Sequence, residues 1–534
     1  MMTEQGRVEP LSAIRQQLEN WERKRREFLD DPSTSHGLST VLANTAHLFV
    51  YLEGNRRHVD DGHLASYREA LDADAEKLST TLPDPWGSAL CGYVTDIVRK
   101  QDEDALLSAM DAVRGQLVAH RLDLLSRLGV PVTGGPDAAF ARLIGSLDAA
   151  GSRKKLATAW DRLSDKHLPD LAAAADRVID ARWSRARAAG HESPLAATLL
   201  RSRLDEHTAD RFLVDYLMGA VTTQRVLEAI IGEATGCSDD PMNHFATYLK
   251  SVTFGQRMPL IPLSACVDTA VEVIETVFDH RVVVRKVNAD VITLSLWSPD
   301  DLSGIIQVDC VPSTGAQMSA LSEHVPIGRA LARCRNTHAD RVLTFDAAQS
   351  LMHEFGHAVN HVLLNPRRPD LTGVEYLPVE RLENLSAWFE KWVGHPRLAM
   401  RVPEDERSRL PLAAKIKSTE FRATQLPRAV VAMMDFRLHR SEISVTKAFE
   451  QVVEEFDVKD RCHLGDLLPH FGTPVFRVHP GLAGLCYLWS YAYSCEVFQE
   501  ANPQPALRSC FDPGMPSAHP GLAGMQSWND HVPQ

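Results

Sequence analysis

Residues 344 to 361, Thr-Phe-Asp-Ala-Ala-Gln-Ser-Leu-Met-His-Glu-Phe-Gly-His-Ala-Val-Asn-His, constrain the fold of this chain more than any other stretch. Phe345, Leu351, Met352, Phe355, Val359, Val362 and Leu363 recur at helical spacing, which predicts one amphipathic helix with Thr344 or Asp346 at its N-cap. His353 and His357 are four apart, hence on one face, where both ring nitrogens can reach a single cation at about 2.0–2.1 Å. Glu354 projects beside such a metal, where a carboxylate can take the proton of a water. His-Glu-Phe-Gly-His is therefore the pattern of a zinc-binding metallopeptidase helix. Gly356 inside it costs about 1 kcal/mol relative to Ala, so some other element is expected to pack close against that turn.

At 534 residues, with 44% hydrophobic and 24% charged residues, the chain can bury a large core and is expected to form several domains. Its formal charge of −13 argues against a nucleic-acid binder, which shows a basic face. No apolar run reaches the ~18–20 residues that span a bilayer, and the start lacks a signal-peptide core, so a cytoplasmic location without membrane attachment is expected. The nine cysteines form no Cys-x-x-Cys pair and are an odd number. They read as reduced thiols, leaving His and carboxylate to hold a metal.

Residues 1 to 260 read as a string of amphipathic helices. Examples are 11–29, 38–52, 63–82, one long or broken helix over 86–128 ending before Gly129, 138–149, 155–163 and 168–188. Pro131-Val-Thr-Gly-Gly-Pro136 is the clearest linker among them. From residue 281 the pattern changes to β-branched runs. Arg281–Val287, Val291–Trp297 and Ile305–Val311 predict a small sheet just ahead of the metal helix, with an edge that could pair with an extended peptide. The organisation expected is 1–135 and 136–280 helical, 281–510 carrying the metal chemistry, and 511–534 a Pro- and Gly-rich tail.

Two histidines and a water leave a catalytic zinc one protein ligand short. Past Pro378, Glu380, Glu383 and Glu390 are available, and helix geometry alone does not choose between Glu380 and Glu383. Here a resemblance enters. Residues 342 to 393 resemble the thimet oligopeptidase and oligoendopeptidase (M3) family of zinc peptidases. In that family a His-Glu-Phe-Gly-His helix is followed by a ligand Glu, with Ser at the third position after it, Glu at the seventh and Trp at the ninth. Counting from Glu383 gives Ser386, Glu390 and Trp392; counting from Glu380 gives none of them. The likeness runs on through Gln307-Val-Asp-Cys-Val-Pro312, Met434-Asp-Phe-Arg-Leu-His439, Tyr487-Leu-Trp-Ser490 and Phe498.

The resemblance implies a mainly α fold of two helical lobes around a substrate channel, with a small sheet beside the zinc helix. It implies one Zn²⁺ per chain on His353, His357 and Glu383, with Glu354 as general base, Glu390 supporting a ligand and short unstructured peptides as substrates. Family members resemble one another in a glycine-rich loop whose His and two Tyr contact the substrate. The counterpart here is His479-Pro-Gly-Leu-Ala-Gly-Leu-Cys-Tyr487, a shorter loop. Tyr487 and His479 keep their places, whereas the tyrosine three residues before Tyr487 is Gly484, so that either Tyr491 or Tyr493 substitutes or the substrate is held differently. Asp435 and His439, four apart, read as structural, and Asp346 as a cap. Gln349 and Asn360 also depart from the family pattern. His479–Gly484 recurs word for word at His519–Gly524. Beside the active peptidase stand two alternatives: a peptide-binding protein on the same fold with weakened catalysis, and a processing peptidase dedicated to one precursor.

Overall fold

The computed structural model describes chiefly residues 86–130, 150–235, 258–286, 291–298, 302–309, 317–321, 330–335, 341–363, 377–471, 479–500 and 503–507. The helices expected before residue 83, the linker at 131–136 and the tail from 511 lie almost wholly outside the described residues. The helices longer than one turn are α1 (Trp86–Arg127), α2 (Ala150–Ala188), α3 (Pro194–Leu199), α4 (Glu206–Thr235), α5 (Leu263–Val277), α6 (Phe345–Leu363), α7 (Asn384–Glu390), α8 (Leu410–Arg440), α9 (Val445–Glu455), α10 (Leu464–Phe471) and α11 (Ala483–Phe498). The protein is mainly helical.

Local chemistry explains most boundaries. Helix α1 is unbroken and ends at Gly129, whose φ of +69° is the left-handed conformation that closes a helix at little cost. Thr344 Oγ1 accepts the amide of Ala347 at 3.2 Å and caps α6, while Asp346 pairs with Lys417 at 2.7 Å. The cap is thus Thr344, and Asp346 instead ties α6 to α8. Where the sequence suggests two helices between 155 and 188, the structure has one, running through Pro169. The proline forfeits a backbone hydrogen bond, but Trp160 on one side of it and Leu171, Ala174 and Val178 on the other are all buried, so packing holds both halves in line.

Five strands form a mixed sheet in the order β2-β3-β4-β6-β5, made of β2 (Arg281–Lys286), β3 (Val291–Trp297), β4 (Leu302–Asp309), β5 (Gln317–Leu321) and β6 (Ala330–Arg335). Only β4 and β6 run parallel. Two short strands, β1 (Ile261–Pro262) and β7 (Val342–Leu343), pair ahead of α5 and α6. Helix α6 lies along β4, β5 and β6.

The apolar interior divides into two large cores. One gathers α2, α4, α9, α10 and the second half of α8, around Phe212, Leu217, Phe436 and Trp489. The other gathers α5, the sheet, α6 and α7, around Ile274, Leu296, Phe355 and Trp388. Helices α8 and α11 contribute to both: Leu485 and Trp489 face the first core, Tyr493 and Val497 the second. The junction of these cores is where the site lies.

Candidate metal centre

Helix α6 buries Phe345, Leu351, Met352, Phe355, Val359 and Val362 in the second core, which leaves His353 and His357 on the remaining face, partly exposed. Opposite them the chain enters a 3₁₀ turn at Val379–Arg381 and then α7, with Glu383 at the N-cap position. The two elements touch at backbone distance. A Cβ on Gly356 would lie 2.4 Å from Ser386 Cα and 2.7 Å from Leu385 O. The glycine inside α6 is thus what lets Glu383 approach the histidines.

The Nε2 atoms of His353 and His357 are 3.1 Å apart. Glu383 Oε2 lies 3.3 Å from the first and 3.0 Å from the second. Among the described residues this is the one group of three His, Cys, Asp or Glu whose donor atoms lie within 4.8 Å of one another. Two nitrogens and one carboxylate oxygen converging on one point, with room for at most one shared proton between the nitrogens, form the donor set that a catalytic zinc takes. The residues present fit that ion.

The supporting contacts agree with a ligand role. Glu390 Oε1 accepts a hydrogen bond from His353 Nδ1 at 2.6 Å, which fixes the ring with Nε2 turned toward His357 and Glu383. Ser386 Oγ donates to Glu383 Oε2 at 2.7 Å and orients that carboxylate. For His353, burial alone would lower its pKa, but hydrogen bonds to Glu383 and Glu390 outweigh it and hold the value well above the ordinary histidine range. For Glu383, burial would raise the pKa, but the charge of His357 and the bonds to both rings hold it well below the carboxylate range. Glu380, the other candidate, points away. Its fully buried carboxylate accepts from Ser202 Oγ at 2.6 Å and from the Arg203 amide at 3.2 Å, and so secures the segment between α3 and α4.

Glu354 opens with His353, Asp346, Gln349, Ser350 and Glu390 onto a cleft of about 450 Å³. The Tyr487 phenol lies beside Glu383, in the field of Glu354, and Tyr487 is 41% exposed. Its desolvation, and then the negative charge of Glu383, push that phenol far above the usual range, so it stays protonated and able to donate. His479 stands in the turn before α11, its carbonyl accepting the Leu482 amide at 3.0 Å.

The tyrosines proposed to replace the missing one are committed elsewhere. Tyr493 donates to Ala506 O at 2.7 Å. Tyr491 stacks on Phe421 at 3.9 Å, lies under Lys391 Nζ at 4.3 Å and bonds Cys495. At Gly484 a Cβ would meet Ala432 Cβ at 2.5 Å and Ala432 Cα at 2.6 Å, so no side chain fits there as the helices stand. Cys266, Cys462, Cys486, Cys495 and Cys510 are free thiols, as expected. No described helix is long and apolar enough to cross a membrane.

The described residues thus form a mainly helical protein with a cluster of two histidines and one carboxylate, able to hold a metal ion, beside a cleft. No family model matches the chain. It is 22% identical over 172 residues to oligopeptidase A of Salmonella typhimurium, and 26% identical over 175 residues to oligopeptidase A of Haemophilus influenzae. Each alignment takes in 29% of this chain and 25% of the relative, so only a quarter of those proteins is matched. An X-ray structure of a protein assigned to oligoendopeptidase F is 12% identical over 97% of this chain and 96% of its own, with a TM-score of 0.51, a likeness of fold alone. The sequence likeness is thus to oligopeptidases over a quarter of their length, and the structural likeness is one of fold.

Proposed function

We propose that the protein is a zinc-dependent endopeptidase, an oligopeptidase that hydrolyses peptide bonds in short unstructured peptides. The convergence of His353, His357 and Glu383 beside the cleft that Glu354 lines is the observation that carries this reading. When bound, Zn²⁺ would supply a Lewis acid for the scissile carbonyl and lower the pKa of a water toward about 7. His353, His357 and Glu383 would hold it; Glu390 and Ser386 keep two of those ligands aimed. Glu354 would take the proton of the attacking water and return it to the leaving amine. Tyr487, protonated and beside Glu383, would donate to the developing oxyanion, and His479 is assigned a similar contact from the turn before α11. Strand β5, at the sheet edge on the side of α6, offers backbone groups to an extended peptide.

The relatives named oligopeptidase A support the substrate class. Digestion of a diverse peptide mixture, with metal analysis of the same preparation, tests the reading. Cleavage at many positions by zinc-loaded protein is expected. Zinc bound without cleavage would instead mark a peptide-binding relative of the enzymes, and cleavage at one motif a dedicated processing peptidase.

A further inference from the structure

The segment His479-Pro-Gly-Leu-Ala-Gly484 is seated on one face of α8 by three contacts one turn apart. Gly484 touches Ala432, Asp435 Oδ1 accepts the Gly481 amide at 3.3 Å, and a Cβ on Gly481 would lie 3.1 Å from His439 Cβ. Gly481 has φ +84°, so both glycines of the motif are fixed by this docking. Leu482 and Ala483 are buried between them.

Behind the docking surface stands a buried polar relay. His439 Nδ1 lies 3.0 Å from Asp435 Oδ1 and 2.8 Å from Asp435 O, both acceptors, so it carries the proton. His439 Nε2 then accepts from Arg182 Nη1 at 3.1 Å. Arg182 Nη2 donates to Phe476 O at 2.5 Å, on the approach to the same turn. Asp435 and His439 are fully buried and Arg182 nearly so. Burying a carboxylate and a guanidinium is costly unless each is hydrogen-bonded and the charges compensate; here the His439 ring joins them. One turn beyond Gly484 on α11 comes Tyr487. The only described structure between the relay and the phenol is thus a tight turn and one helical turn.

We propose that Asp435, with His439 and Arg182 behind it, is a positioning residue that fixes the turn ahead of α11 and thereby holds the Tyr487 phenol against the metal centre. This rests on the peptidase reading above. The expected consequence is a loss in kcat rather than in substrate or zinc binding, because the phenol acts on the transition state.

The test is a double-mutant cycle in the full chain. Asp435→Ala is expected to lower kcat by about 10- to 100-fold, the scale of a misplacement near 1 Å, with KM and bound zinc unchanged. In a background that lacks both groups of the turn, Tyr487→Phe with His479→Ala, the same change should cost no more than about twofold, because coupled residues are non-additive. Asp435→Asn, which keeps an acceptor for the Gly481 amide, should recover most of the rate. An equal loss in both backgrounds, or full kcat in Asp435→Ala, overturns the proposal. Should Asp435→Ala not fold, Arg182→Lys, which keeps the charge but breaks the two-point contact, carries the same cycle. Amide exchange over 479–487 gives a readout independent of activity. It should rise in either variant and not elsewhere in α11; no rise overturns the positioning role even if the wild type cleaves nothing, an outcome that would by itself sink the peptidase reading instead.

Discussion

Glu380 and Glu383 are chemically identical and three residues apart, yet their surroundings set them opposite tasks, and substitution should separate them. Glu383→Ala is expected to lose zinc, since it removes one of three ligands. Glu380→Ala should keep zinc but lower stability by about 1 kcal/mol, the scale of the part-buried hydrogen bonds from Ser202 and Arg203 that it removes. Metal analysis and denaturant melts of both variants check this; zinc retained in Glu383→Ala contradicts the ligand set. Glu390→Gln should weaken zinc binding about 10- to 100-fold by slackening His353, a change that a competitive chelator titration reads directly. Glu354→Gln should retain zinc and lose turnover by at least about 10²-fold. His353, His357 and Glu354 were legible in the sequence because helix periodicity alone puts them together. Glu383 was not legible from periodicity: the choice against Glu380 needed the resemblance, since the 3₁₀ turn that points the two carboxylates apart leaves no mark in the residue pattern. The Asp435 contact to Gly481 was invisible for a related reason, as it joins residues 46 apart through a backbone amide.

Among the elements, the close crossing of α6 and α7 decides whether the ligands meet. Gly356→Ala is expected to destabilise the protein by about 1–3 kcal/mol through overpacking and to weaken zinc binding as well, because the methyl would press on Ser386 and Leu385 backbone atoms that cannot yield alone. Equilibrium unfolding with and without zinc measures both effects, and a variant with unchanged stability would contradict so close a contact. The sequence reading anticipated a neighbour at Gly356 from the helical cost of glycine. It anticipated β2, β3 and most of β4 from their β-branched runs, but not β5, Gln-Met-Ser-Ala-Leu, or β6, Ala-Leu-Ala-Arg-Cys-Arg, which hold no β-branched residue. Those strands are set by pairing with each other and with β4, a long-range influence that overrides local preference. The same override keeps α2 whole through Pro169.

For the molecule as a whole, His353 and Glu383 couple folding to pH. In the metal-free protein the raised pKa of His353 contributes stability that is fully present below the ordinary histidine value of 6.5 and is lost as pH rises through the raised one. The lowered pKa of Glu383 contributes stability that is present above the ordinary value of 4.5 and is lost as pH falls through the lowered one. Both contributions are therefore present together between 4.5 and 6.5, and metal-free protein should melt progressively lower as pH rises above that window. Zinc bound as proposed would replace a proton on His353, so zinc-loaded protein should gain stability over the same rise; parallel melting curves for the two forms would contradict a shared site. Helix α11 contributes to both cores, which ties the turn ahead of it to the rest of the described molecule. The most direct measurement is the hydrolysis rate of a mixed peptide substrate as zinc is returned to metal-stripped protein. The rate should climb from near zero in proportion to added zinc and level off at one equivalent per chain. A rate that ignores zinc, or one equivalent bound with no hydrolysis, would contradict a zinc peptidase built on His353, His357 and Glu383.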